Sequence, residues 1–76
     1  MEKQLSQLKP SAKGTIKLIK SSGALKRKLL DMGVIPGSEL EVIRVAPLGD
    51  PVEVRVKGYN LSLRKEEAKQ VTIEVT

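Results

Sequence analysis

Glu66 and Glu67 are the only adjacent carboxylates in the chain, and Lys26, Arg27 and Lys28 form its only run of three cations. Two carboxylates flanking a sugar would suit glycoside hydrolysis, but neighbours on one helical turn point different ways. A serine nucleophile needs a base, and the chain has no histidine. It has no cysteine either, so thiolate chemistry and thiolate metal ligation are absent together. Any metal would have to sit among carboxylates and carbonyls, as hard cations do, and Asp50 alone does not make such a site. No glycine-rich loop has the spacing that cradles phosphate. The residues therefore read as non-enzymatic, with no catalytic residue, metal, cofactor or small-molecule substrate expected.

Size and charge narrow the remaining classes. Seventy-six residues make one small domain. A chain this short buries roughly 60% of its unfolded surface, so its core is thin. Tyr59 is the single aromatic residue, leaving Leu, Ile and Val to fill that core. The opening MEKQLSQLKP has no apolar run of the signal-peptide kind, and no stretch is apolar enough for a membrane span, so a soluble, cytoplasmic protein is expected. Residues 1–28 carry eight basic side chains against Glu2, a net +7, whereas residues 29–76 sum to −2. An acidic partner or polyanion would meet the first third.

The elements that would carry these residues are short. KGTIKLIK (13–20) alternates as a strand with Ile16 and Leu18 inward, and Ile19 breaks the pattern. Ser21, Ser22 and Gly23 supply turn and cap material before ALKRKLLDMG, where Leu25, Leu29 and Met32 share one helical face. Gly33 stands where a helix ends in the left-handed region, and Pro36-Gly37 matches the centre of a type II turn. SELEVIRV (38–45) reads as a strand with Leu40 and Val42 on one face and Ile43 and Val45 on the other. APLGDP (46–51) reads as a loop, and VEVRV (52–56) and NLSLR (60–64) as a hairpin. A turn at Gly58-Tyr59 would set Val56 opposite Leu61, Val54 opposite Leu63 and Glu53 opposite Arg64. KEEAK (65–69) offers one helical turn, and VTIEV (71–75) a closing strand. The fold class expected is mainly β with one short helix, a small barrel of five to six strands, and strand count and spacing alone allow an SH3-like, an OB-like or a ribosomal small-barrel form.

Three strings then carry a resemblance. KLLDMGVIPGSEL (28–40), VAPLGDPVEV (45–54) and GYNLSLRKEEA (58–68) together resemble the FeoA family, over about Ile16 to Val75. The resemblance implies an SH3-like barrel with an inserted helix, in a small accessory protein of bacterial ferrous-iron uptake. Its implied partner is FeoB, a membrane ferrous-iron transporter with a GTP-binding domain, met at the cytosolic face of the membrane. Regulation of that transporter's GTP hydrolysis or of its assembly would be the implied role. Related domains also end metalloregulators of the diphtheria-toxin-repressor type, and this chain reads as a free-standing copy. No metal-ligand motif is implied.

Seven residues stand out as partner-binding candidates: Leu25, Arg27, Leu30, Met32, Leu48, Asp50 and Tyr59. Leu25, Leu29, Leu30 and Met32 overfill one stripe, so either all four pack inward or part of the ridge stays open to a partner. Pro47 and Pro51 stiffen the loop that holds Leu48 and Asp50, with Asp50 capping a backbone amide as the structural alternative. Tyr59 at a hairpin tip has little core to join. Lys26, Arg27 and Lys28 form either a solvated face or a contact for acidic surfaces, lipid headgroups included. The alternative function is a small-barrel nucleic-acid-binding protein that uses the basic first third. It would lose affinity steeply with salt, whereas an adaptor with an apolar anchor would not.

Overall fold

The computed structural model describes residues 1–76. Six strands, β1 (Glu2–Gln4), β2 (Lys13–Ile19), β3 (Glu39–Val45), β4 (Val52–Val56), β5 (Tyr59–Leu63) and β6 (Val71–Val75), form one antiparallel sheet in the order β1-β6-β2-β3-β4-β5. Helix α1 (Ala24–Asp31) interrupts the sheet between β2 and β3, and the four-residue α2 (Lys65–Ala68) joins β5 to β6. The sheet wraps a core of aliphatic side chains in which Leu5, Leu29, Val34, Val42, Val54 and Ile73 are fully enclosed. The mainly β architecture read from the sequence is therefore the one observed.

Several boundaries follow from local chemistry. Gly33 has φ +101° and ends α1, as its position after the apolar stripe predicts. Gly37 has φ +95°, and the Ser38 N–H donates to the Ile35 carbonyl at 3.0 Å, closing the Pro36-Gly37 turn. Gly14 has a different reason to be glycine. It lies between Leu40 on β3 and Val75 on β6, and a Cβ there would stand 2.5 Å from the Glu74 carbonyl oxygen. Only a residue without a side chain lets these strands approach so closely.

Three expectations are corrected. The register of β2 against β6 shifts between Ile16 and Leu18, so a bulge turns Ile19 inward and leaves Leu18 exposed, the reverse of strict alternation. A second bulge between Val42 and Arg44 returns Val45 to the core side, opposite Val52. The β4–β5 turn sits at Lys57-Gly58, where φ is +54° and +83°, the two positive values a type I′ turn requires. Val56 therefore faces Tyr59, Val54 faces Leu61 and Val52 faces Leu63. The partner strand has slipped by two residues, which preserves every inward face, but the expected Glu53–Arg64 pairing is lost. Glu53 instead pairs with Arg44 at 3.6 Å.

The first eight residues add something the periodicity did not signal. β1 pairs with β6, and a 3₁₀ turn (Leu5–Gln7) drops Leu5 and then Leu8 into the core.

Candidate partner-binding surface

α1 forms because Leu25 and Leu29 fall one turn apart while Lys26, Arg27 and Lys28 stay in water. Leu29 is fully buried. Leu25, Leu30 and Met32 are half-buried and pack against the core edge, so the ridge is neither wholly core nor wholly open. Arg27 is exposed and makes no ion pair. Lys28 is committed elsewhere: its Nζ donates to Glu67 Oε2 at 2.7 Å, across to α2.

That carboxylate holds a second partner. Glu67 Oε1 accepts the backbone N–H of Arg64 at 2.8 Å, satisfying a donor that the first turn of α2 leaves free. The glutamate is only 8% exposed. The Lys28 hydrogen bond is the largest cause that holds its carboxyl below the ordinary carboxylate value, outweighing a desolvation effect of opposite sign; the Arg64 amide adds to it. Lys28 is 39 residues away from Glu67, so no local pattern in the sequence names it as the partner.

The loop 46–51 is fastened to the same small helix. Asp50 Oδ1 accepts the Lys65 N–H at 3.1 Å, so Asp50 does cap a backbone amide, at the start of α2. Leu48, at the tip of that loop, is 89% exposed. α2 thus gathers the 46–51 loop on one side, through Lys65, and α1 on the other, through Glu67. Leu25, Arg27, Leu30, Met32, Leu48 and Asp50 all belong to elements tied to this hub. Tyr59 does not. It is 74% exposed at the Lys57-Gly58 turn, the far end of β4 from the 46–51 loop, roughly 13–16 Å along the strand. The structure therefore divides the seven candidates into six around α2 and one apart.

Two cations of the basic first third are held in ion pairs. Lys17 Nζ donates to Glu2 Oε2, and that hydrogen bond is the first cause raising the lysine's pKa. Lys28 pairs with Glu67, and the remaining cations lie on β1 (Lys3), after the 3₁₀ turn (Lys9), on β2 (Lys13), just after it (Lys20) and on α1 (Lys26, Arg27). The largest cleft, about 680 Å³, mixes Lys13, Arg55 and Lys57 with Glu39 and Glu41 around a single apolar residue, Leu40. Small-molecule sites are mostly apolar concavities, and this open polar cleft is not one. No three acidic side chains gather closely enough to hold a metal ion, and no helix is long and apolar enough to cross a membrane.

Comparison with known proteins bears on the family and the fold. Residues 3–75 match the model of the FeoA domain. Over 72 residues the chain is 35% identical to an Fe(2+) transport protein A/Fe(2+) transporter FeoB fusion protein of Porphyromonas gingivalis. That match covers 95% of this chain and 8% of the fusion protein, so the chain spans a small part of its relative's length. The solution structure of iron(II) transport protein A from Clostridium thermocellum superposes with a TM-score of 0.93 at 43% identity, over 97% of this chain and 46% of that one. The zinc complex of Stenotrophomonas maltophilia FeoA, described as an SH3 domain protein that possibly acts as a ferrous iron transport activating factor, superposes with a TM-score of 0.80 at 27% identity, over 97% of this chain and 89% of that one.

Proposed function

The chain belongs to the FeoA family, and on that premise we propose that it is a non-enzymatic accessory protein of bacterial ferrous-iron uptake that binds the cytosolic part of an FeoB-type membrane transporter. The observation that carries the reading is the Porphyromonas gingivalis relative, in which the two parts are one polypeptide. Covalent linkage holds two modules at high effective concentration, which serves modules that act on each other. In this reading the protein works in the cytoplasm and reaches the inner face of the membrane only through its partner. Its contact surface is the group of elements around α2, with Leu48 as the exposed apolar anchor and Leu25, Leu30, Met32, Arg27 and Asp50 around it. Tyr59 supplies a separate contact at the other end of β4.

The test is affinity capture of the tagged chain from bacterial membranes in mild detergent, with nuclease present, followed by mass identification of what stays bound. Recovery of the ferrous-iron transporter supports the reading. Recovery of ribosomal proteins, or loss of every partner on nuclease treatment, assigns the chain to nucleic acid instead.

A further inference from the structure

The sheet order leaves two strands at its edges, and they are built differently. β1 is three residues long and carries Glu2 and Lys3. Short length and charge are the usual means of keeping an edge from pairing with another chain. β5 has neither. Its sequence, YNLSL, is uncharged, contains no proline, and runs opposite β4 for five residues without a bulge.

The free backbone groups can be located. Val56 and Tyr59 close the two-residue turn and are a hydrogen-bonded pair, so by alternation Val54–Leu61 and Val52–Leu63 are too. Asn60 and Ser62 then aim their N–H and C=O groups away from β4. Both residues are exposed, and neither backbone makes a hydrogen bond to a loop or turn. The next residue in that phase, Arg64, also points its N–H away from β4 and has found Glu67. Asn60 and Ser62 have found nothing within the chain.

Charge frames the same edge. Exposed Lys57 stands at the turn end, and exposed Arg64 and Lys65 at the other. Arg55, on the neighbouring strand, donates to the Asn60 side chain at 3.1 Å. Of the acidic residues nearby, Asp50 is occupied by the Lys65 amide and Glu53, opposite Ser62 on β4, by Arg44 at 3.6 Å, while Glu66 is exposed beside Lys65. A second copy of the chain pairing antiparallel about Leu61 would bring Lys57 against Lys65 of that copy, a like-charge contact at each end. An extended segment with acidic ends meets the cations favourably.

We propose that the open edge of β5 receives an extended strand from a partner protein, held by the Asn60 and Ser62 backbone groups and selected by acidic residues flanking an uncharged middle. This rests on the accessory-protein reading only for the source of the strand.

The probe is a short synthetic peptide of alternating Val and Thr with Asp at both ends, beside the same peptide ending in Lys. The whole chain is followed by amide NMR and hydrogen exchange. Saturation with the Asp-ended peptide should slow exchange at the Asn60 and Ser62 amides by at least about tenfold, and the Lys-ended peptide should not. Ser62→Pro should remove binding, since it deletes an outward donor and no β4 bond. Lys57→Glu with Arg64→Glu, both at exposed positions, should exchange the peptide preference even where Ser62→Pro fails to fold. Equal response to the two peptides, or unchanged exchange at Asn60 and Ser62, overturns the proposal. So does concentration-dependent protection of those amides without peptide, which would make a second copy the occupant. Failed peptide binding with the transporter still captured overturns the edge assignment alone. A bound peptide with no transporter captured overturns the accessory role alone.

Discussion

Lys28 on α1 and Glu67 on α2 meet at 2.7 Å, joining two elements that 39 residues of chain separate. Glu67 also receives the Arg64 amide, so one nearly buried carboxylate closes the first turn of α2 and holds the inserted helix beside it. Asp50 binds the same short helix from the loop side. Four residues of helix thereby position the two segments that present most of the candidate contact residues.

Glu67→Gln should cost about 1–3 kcal/mol in urea denaturation, because the amide cannot replace a charged acceptor to both donors. Its folded pKa is lowered from 4.5, so its stabilisation is fully present above that unfolded value and is lost as pH falls through the lower folded value. The unmodified chain should therefore lose stability on acidification below about pH 4.5, and Glu67→Gln should show a smaller acid loss. Equal acid loss in both chains would remove Glu67 from the account. Lys28→Ala, which leaves the Arg64 amide in place, should cost less than Glu67→Ala.

Gly14→Ala should lower stability by about 1–3 kcal/mol, since the added methyl would stand 2.5 Å from both the Glu74 carbonyl oxygen and the Ile73 side chain, and the strands must shift to admit it. A thermal melt indistinguishable from that of the unmodified chain would show that β2 and β6 separate without cost.

Leu5 is fully buried, and Leu5→Ala should cost about 2–5 kcal/mol by chemical denaturation. A loss under about 0.5 kcal/mol, the ordinary range for surface positions, would mean that the N-terminal turn does not dock in solution.

Leu48→Glu and Leu30→Glu separate contact from core. Leu48 is 89% exposed, so the charge should change stability by no more than about 0.5 kcal/mol while weakening transporter capture. Leu30 packs against the core edge, and Leu30→Glu should destabilise the fold by about 1–3 kcal/mol besides any effect on binding. Calorimetry on both variants checks the contrast.

What could be read before the structure was what depends on neighbours in the chain. Gly33, Pro36-Gly37 and the alternation of Val52, Val54 and Val56 each act over a few residues, and each was placed correctly. The hairpin turn lies one residue before Gly58-Tyr59 because Lys57 takes a positive φ, which lysine rarely adopts. The sheet accepts Lys57 there, since moving the turn keeps all inward faces. Ile19 and Leu18 were exchanged because a bulge is invisible to a period of two. Leu5 and Leu8 carry no local signal of burial because β1 needs β6, the last strand, to exist at all. Six of the seven candidate contact residues lie on elements joined to α2, a grouping created by Lys28–Glu67 and Asp50–Lys65, neither of which is local in sequence.

The most direct measurement of the central claim is a calorimetric titration of the purified chain into detergent-solubilised ferrous-iron transporter, repeated at 50 and 200 mM salt, with duplex DNA and structured RNA as parallel titrants. The account predicts saturable binding to the transporter that changes little across this range, weakens with Leu48→Glu, and has no counterpart with nucleic acid. Binding to nucleic acid that falls by orders of magnitude over the same salt range, with none to the transporter, would contradict it.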